Sequence, residues 1–295
     1  MNKSKVYFTK EITPNKIVAM YDILNKKLPG KIAVKVHSGE KGNNNYLKPE
    51  FLKEIINHVN GTVVECNTAY VGERDTTEKH KKLMQDHGWS KYFKVDIMDE
   101  FGPDLELNIE NGRRLTKNYV GKNIQNYDSM LVISHFKGHP MGGYGGALKQ
   151  LSIGCSSAKG KRYIHCCGKE SGTYEDMFKV NQNEFLESMA DTASSIANYF
   201  KGNIIYINIM CNMSVDCDCC KNAASPCMND IGILSSTDPI AIDKACIDLV
   251  YNSKDKGKDH LIERIESRNG TYTIEVANTL NFGTKEYELI NIDNN

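Results

Sequence analysis

The sequence predicts an α/β protein of mainly parallel, doubly wound sheets arranged in two lobes, with helices on both faces. Two observations predict it. Short apolar runs of strand type alternate with segments of helical periodicity, the pattern of a mainly parallel sheet. Two loops rich in chemically active residues each follow the carboxyl end of an expected strand, where open α/β sheets bind ligands.

Val6-Tyr-Phe reads as the first strand. Pro14 opens a helix to about Lys27, with Ile17, Met20, Tyr21 and Leu24 at helical spacing. Lys31 to Val36 is a strand, and Pro49 starts a helix that Asn60-Gly61 ends. Thr62 to Cys66 is a strand, followed by a helix from Thr76 to about Gly88. Ser129-Met-Leu-Val-Ile-Ser is a buried strand running into His135. A helix from about Glu184 to Phe200 leads to the strand Asn203–Ile209, a cysteine-rich loop, the strand Ile231–Leu234 and a helix from Ala241 to Tyr251. The expected boundary divides 1–128 from 129–295, with one interwoven unit as the alternative.

Lys+Arg and Asp+Glu balance at 37 each, so no global field draws nucleic acid or an anionic membrane. No apolar run approaches the roughly 20 residues of a spanning helix, and the opening Met1-Asn-Lys-Ser-Lys-Val-Tyr-Phe has no apolar signal core. The expected compartment is the cytoplasm. There the ten cysteines stay reduced, which favours metal binding or catalysis over disulfides.

Four of those cysteines, Cys217, Cys219, Cys220 and Cys227, fall within eleven residues. Thiolates this dense suit a soft metal or an iron–sulfur cluster. Zinc is the competitor, although the paired Cys-x-x-Cys hairpins it favours are absent. On extended backbone Cys217 and Cys219 face one side and Cys220 the other, so one neighbour is a bystander and the last ligand comes from elsewhere. Cys155 is the candidate, with Cys166-Cys167 as the alternative.

The loop His135-Phe-Lys-Gly-His-Pro-Met-Gly-Gly-Tyr-Gly-Gly-Ala-Leu-Lys149 combines four glycines, Gly142, Gly143, Gly145 and Gly146, with His135, Lys137, His139 and Lys149. Glycines let backbone approach a ligand, amides before a helix hold anions, and the histidines suit proton transfer. The pattern is neither a Walker A nor a Rossmann fingerprint. Lys159, Lys161 and Arg162 form a further basic turn. His37 and Glu40 follow the second strand as acid–base or ligand candidates, and Arg74 follows the third as a carboxylate clamp. Asp238-Pro starts a helix and is expected to steady the cysteine loop.

His135-x-Lys-Gly-His with Gly-Gly-x-Gly-Gly-Ala-x-Lys149, Gly-Cys155 with Lys-Gly-Lys and His165, and Cys217-Asp-Cys219 leading into Asp-Ile-Gly-Ile-x-x-Ser-x-Asp-Pro-x-Ala-x-Asp resemble the family called domain of unknown function 362. The likeness covers about residues 31 to 290 and implies an iron–sulfur cluster. A more distant likeness is to the lactate racemase family. His139 to Lys149 is ten residues and Lys149 to His165 sixteen, as in that family. There the Lys tethers a nickel-pincer nucleotide, the later His ligates nickel and the earlier His is the acid/base. That resemblance implies Lys149 as anchor, His165 as metal ligand and His139 as acid/base. Gly-Gly-Ala-Leu-Lys stands where the racemases have Gly-Gly-Arg-Lys, and they lack the Cys-Asp-Cys-Cys loop.

The expected protein carries an iron–sulfur cluster, of 4Fe-4S type, on the loop 217–227, held by Cys217, Cys219 and Cys227 with Cys220 or Cys155. The cluster faces a cleft built by the loops 37–42, 66–74 and 135–149. The expected function is an enzyme acting on a small anionic molecule by redox or proton transfer. His135 and His139 move protons, and Lys137, Lys149 and Lys161 hold negative charge. The alternatives are a racemase-like enzyme with nickel on Lys149, and a non-catalytic electron carrier or metal-handling protein. A redox partner protein is expected, but neither nucleic acid nor membrane.

Overall fold

The computed structural model describes residues 3–293. In chain order the strands are β1 (Ser4–Thr9), β2 (Ile32–Lys35), β3 (Thr62–Glu65), β4 (Val95–Ile97), β5 (Leu105–Asn108), β6 (Lys117–Val120), β7 (Ser129–His135), β8 (Lys137–His139), β9 (Gly143–Gly145), β10 (Ile204–Met210), β11 (Gly232–Ser236) and β12 (Tyr287–Asn291). Eight of them form one sheet in the order β12-β1-β11-β10-β7-β2-β3-β4, while β5-β6 and β8-β9 are separate pairs. From β10 to β4 the pairing is parallel. β11 runs antiparallel to both β10 and β1, and β12 lies parallel to β1 at the edge. The mainly parallel α/β architecture is therefore as expected. β2 pairs with β7, so the boundary placed at residue 128 runs through a continuous sheet.

Both faces are covered, which explains the continuous apolar strands. Along β7, Met130 and Val132 pack into one core and Leu131 and Ile133 into the other. The first face carries α7 (Gln182–Tyr199) and α8 (Pro239–Tyr251), and the second carries α1 (Pro14–Asp22) and α2 (Lys53–His58). Helix starts follow capping chemistry. Thr13 caps α1 ahead of Pro14, Thr76 caps α3 (Thr77–Asp86), and Asp238 caps α8 through the Ile240 and Ala241 amides. α1 stops before Lys27 because the chain turns left-handed at Asn25, φ 46°. α4 (Trp89–Tyr92) follows α3 directly.

The segment after β9 positions the site. α5 (Ala147–Lys149) leads into a π-helical turn, Gln150–Gly154, and then α6 (Ala158–His165). Such turns are rare and recur at functional sites. α9 (Lys258–Ser267) packs on β8 and β9 and is followed by α10 (Tyr272–Ala277).

Candidate metal centre

The loop after β10 and the loop after β7 meet beyond the carboxyl ends of their parallel strands. The cysteine loop is clamped from several directions. Asn43 Nδ2 donates to the carbonyls of Cys217 and Cys220 at 3.3 and 2.9 Å, and the Glu40 amide donates to the Asp218 carbonyl. Arg264 on α9 donates to the Val215 carbonyl and pairs with Asp216 at 3.1 Å. Asp216 also receives the Ala224 amide at 3.0 Å, closing the loop on itself.

Within it, Nε2 or Nδ1 of His139 and the sulfurs of Cys217 and Cys219 lie within 4.8 Å of one another. The Cys217 sulfur is buried and collects donors: the Cys219 amide at 3.3 Å and the Lys149 ammonium at 3.7 Å. Burial alone would raise the Cys217 thiol. A hydrogen bond from Cys219, the Lys149 charge and His139 outweigh it and hold the group well below the ordinary thiol range, so the sulfur sits as a thiolate, the form that binds metal.

His139 plays a different part. Its Nδ1 accepts from the Met141 and Gly142 amides at 3.2 and 2.8 Å. A nitrogen that accepts carries no proton, so the neutral ring bears its hydrogen on Nε2, which lies 4.0 Å from the Cys219 sulfur. Burial and the Lys149 charge push His139 down to about 4, which keeps it neutral. A metal-bound histidine normally donates its second N–H to an acceptor. His139 does the reverse, which suits a donor to thiolate sulfur and not a ligand. The fit for a metal therefore rests on sulfur: the Cys217 thiolate, with Cys219 beside it as a thiol that its hydrogen bonds to Cys217 and Cys220 and its burial hold well above the ordinary range.

A cleft opens beside Cys219. Its polar lining includes Lys35, His37, Glu65, Arg74, Lys149, Lys161 and His165, and its apolar lining Met141, Ile153, Tyr174, Met177 and Phe178. His165 donates from Nδ1 to the Lys161 carbonyl at 2.7 Å. That leaves Nε2 as the proton acceptor, and burial pushes this histidine down to about 4. Arg74 pairs with Glu40 at 3.1 Å and donates to the Tyr70 hydroxyl. Lys35 pairs with Glu65 at 2.6 Å; burial would raise Glu65, but Lys35, His37, His80 and Arg74 together outweigh it and hold the carboxyl far below its usual range.

The family model described as Domain of unknown function (DUF362) matches residues 32–248. The chain belongs to this family. No curated protein matches it. Among solved structures, the lactate racemase apoprotein from Thermoanaerobacterium thermosaccharolyticum is 13% identical with a TM-score of 0.47, covering 84% of this chain and 58% of that one. A Thermotoga maritima protein is 11% identical with a TM-score of 0.43, covering 91% and 59%. The DUF362 protein thus spans under two thirds of the length of both, and neither likeness assigns a role to a residue here.

Other expected site residues of this DUF362 protein are engaged elsewhere. His135 contacts the Asp218 carboxylate through Nδ1 at 3.0 and 3.1 Å and the Cys211 carbonyl through Nε2 at 2.6 Å. Both ring nitrogens are occupied, so His135 has none left to move a proton. Lys137 is held by Asp218 at 2.7 Å and by the His135 carbonyl, so it is not a free charge. The amides expected to cradle an anion serve the protein's own Asp243, which accepts from Ala147 and Leu148 at 2.7 and 2.9 Å. A Cβ at Gly146 would lie 2.4 Å from that carboxylate. Gly143, at φ +81°, packs on Gly270, where a Cβ would come within 2.8 Å of its Cα. Gly142 donates its amide to His139, whereas a Cβ at Gly145 would meet Lys149 only at an ordinary contact distance of 3.6 Å. Gly143 and Gly146 are thus packing residues and Gly142 a positioning one.

Cys155 sits in the core with its sulfur 3.9 Å from that of Met130. Burial pushes its thiol up to about 11, and its sulfur lies outside the group formed by His139, Cys217 and Cys219. Cys227 donates to the Met213 carbonyl, and burial raises its thiol. His37 accepts the Gly39 amide and lies 3.4 Å from Arg74, at the cleft wall. Asp238 anchors Ser4 and Thr284, and so ties β1 to the C-terminal segment instead of steadying the cysteine loop. Asp218 and the Lys35–Glu65 pair went unsingled in sequence. A carboxylate between two cysteines and charges inside an apolar strand were the available signals. Among the described residues no helix is long and apolar enough to cross a membrane.

Proposed function

We propose that the chain is a metal-dependent enzyme whose cysteine loop holds an iron–sulfur centre beside a cleft for a small anionic molecule. One observation carries this reading: the buried Cys217 thiolate, neighboured by Cys219, receives the Lys149 ammonium and a backbone amide at the cleft wall. Cys217 and Cys219 would be ligands, with Cys220 adjoining. Such a centre passes electrons or, with an open iron, acts as a Lewis acid. His139 donates Nε2–H toward the thiolates. His165 is the proton acceptor of the cleft, and Lys149 and Lys161 hold the substrate's negative charge. Reduced thiols of this kind fit the cytoplasm and a redox partner protein.

The test is iron, sulfide and zinc analysis with visible spectroscopy on protein purified without oxygen from cells able to build clusters. Stoichiometric iron with a cluster absorption is expected. Colourless, iron-free protein overturns the reading, and zinc in its place means a single ion. A second reading is a racemase-like enzyme with a nickel cofactor tethered to Lys149. It is favoured by one observation: His139, Lys149 and His165 line one cleft. An intact mass equal to that of the unmodified chain, with no nickel, excludes it.

A further inference from the structure

The cleft is uneven in a way that specifies what fits it. Two of its four basic residues are neutralised, Lys35 by Glu65 and Arg74 by Glu40. The other two have no carboxylate within 4.0 Å among the described residues. Lys161 donates to the Ser156 carbonyl at 2.6 Å, and Lys149 reaches the Cys217 sulfur at 3.7 Å. Two ammoniums with no carboxylate of the protein's own offer donors to a carboxylate brought in by a ligand. One hydroxyl beside the cleft is also spare. The buried Ser134 hydroxyl has no hydrogen-bond partner among the described residues. It lines a small recess that shares His37, Lys149 and Gln150 with the cleft.

The rest of the cleft's lining is largely apolar and includes Met141, Ile153 and Met177. At its mouth Tyr174 and Phe178 stand edge to face, ring centroids 5.1 Å apart, while remaining 48% and 61% exposed. Aromatic rings left in water at a pocket mouth gain nothing from the fold, and they gain contact when a ligand covers them.

We infer that the cleft binds an amphipathic monocarboxylate, its carboxylate against Lys149 and Lys161 and its apolar body against Met177, Tyr174 and Phe178. This rests on the proposed function only for what happens to the ligand, since binding needs no metal.

Calorimetric titration of the full chain, with metal content measured on the same samples, tests it. The probes are 3-phenylpropionate, octanoate, propionate and the neutral 3-phenylpropionamide. Expected are affinities for the two longer acids at least tenfold above those for propionate and for the amide. Whichever longer acid binds tighter tells ring from chain, and either supports the inference. The double variant Tyr174→Ser/Phe178→Ser, both positions exposed and so harmless to folding, should lose at least fivefold for the longer acids and nothing for propionate. An amide that binds as well as its acid overturns the inference. So does propionate matching the longer acids, a double variant that binds like the parent, or no binding at all. Acid binding by metal-free protein sustains the inference and sinks the metal reading, whereas metal-replete protein indifferent to acids does the reverse.

Discussion

Cys217 and Asp218 are consecutive, fully buried and both held in their charged forms, yet they face different company. Around Asp218 every partner is satisfied. The carboxylate takes His135 and Lys137, and these two also bond the carbonyls of Cys211 and His135. Around Cys217 the donors converge on a sulfur that opens to a cleft through Cys219, and Lys149 and Lys161 keep positive charge without a carboxylate. The same kinds of side chain, lysine and histidine near an anion, form a structural knot on one side and a site on the other. What separates them is whether the partners are used up.

The largest effect should come from breaking the knot. Asp218→Ala leaves two buried cationic groups unpaired, which costs about 3–5 kcal/mol. Cys217→Ala, whose partner Lys149 reaches the cleft, should cost about 1 kcal/mol. Urea unfolding of both variants checks the contrast, and equal losses would erase it. The reverse ranking holds for metal. Cys217→Ser or Cys219→Ser should empty the centre, while Asp218→Asn and Cys155→Ala, where they fold, should keep it by elemental analysis.

Protonation sharpens the comparison next. Burial holds His139 and His165 down to about 4 and His80 to about 3. These groups are neutral when folded but take up protons in the unfolded chain below about 6.5. Their stability contribution is therefore present at neutral pH and is lost as pH falls from about 6.5 toward 4, at about 1.4 kcal/mol per pH unit for each. Asp243, pushed up to about 6 by burial, offsets one of them by binding a proton more readily in the folded state. Unfolding of His165→Gln between pH 5 and 6 should show a slope shallower by about one proton. The smallest effect belongs to His139→Gln. It should loosen the metal by about 10- to 100-fold without abolishing binding, measured by chelator competition. Complete loss would make His139 a ligand.

Much of the fold was legible because buried parallel strands are continuous apolar runs, such as Met130 to Ile133, and because Thr76 and Asp238 announce their helices. The loops that build the site were legible from where they follow β7 and β10. Partnerships were not. Asp218 reads as a spacer between cysteines, and nothing local shows that it ties up His135 and Lys137. Asp243 lies about a hundred residues from the amides it caps, so those amides looked available to a ligand. The orientation of His139 depends on two backbone amides, which no residue type reveals.

The cysteine loop takes its shape from partners remote in the chain: Asn43, 174 residues away, His135, 83 away, and Arg264, 48 away. The thiolate group is complete only when the last of these has emerged and docked. Under the proposed metal-centre reading, loading would therefore follow folding of the whole chain, and the segment 211–227 as a free peptide would not offer the same grouping of sulfurs.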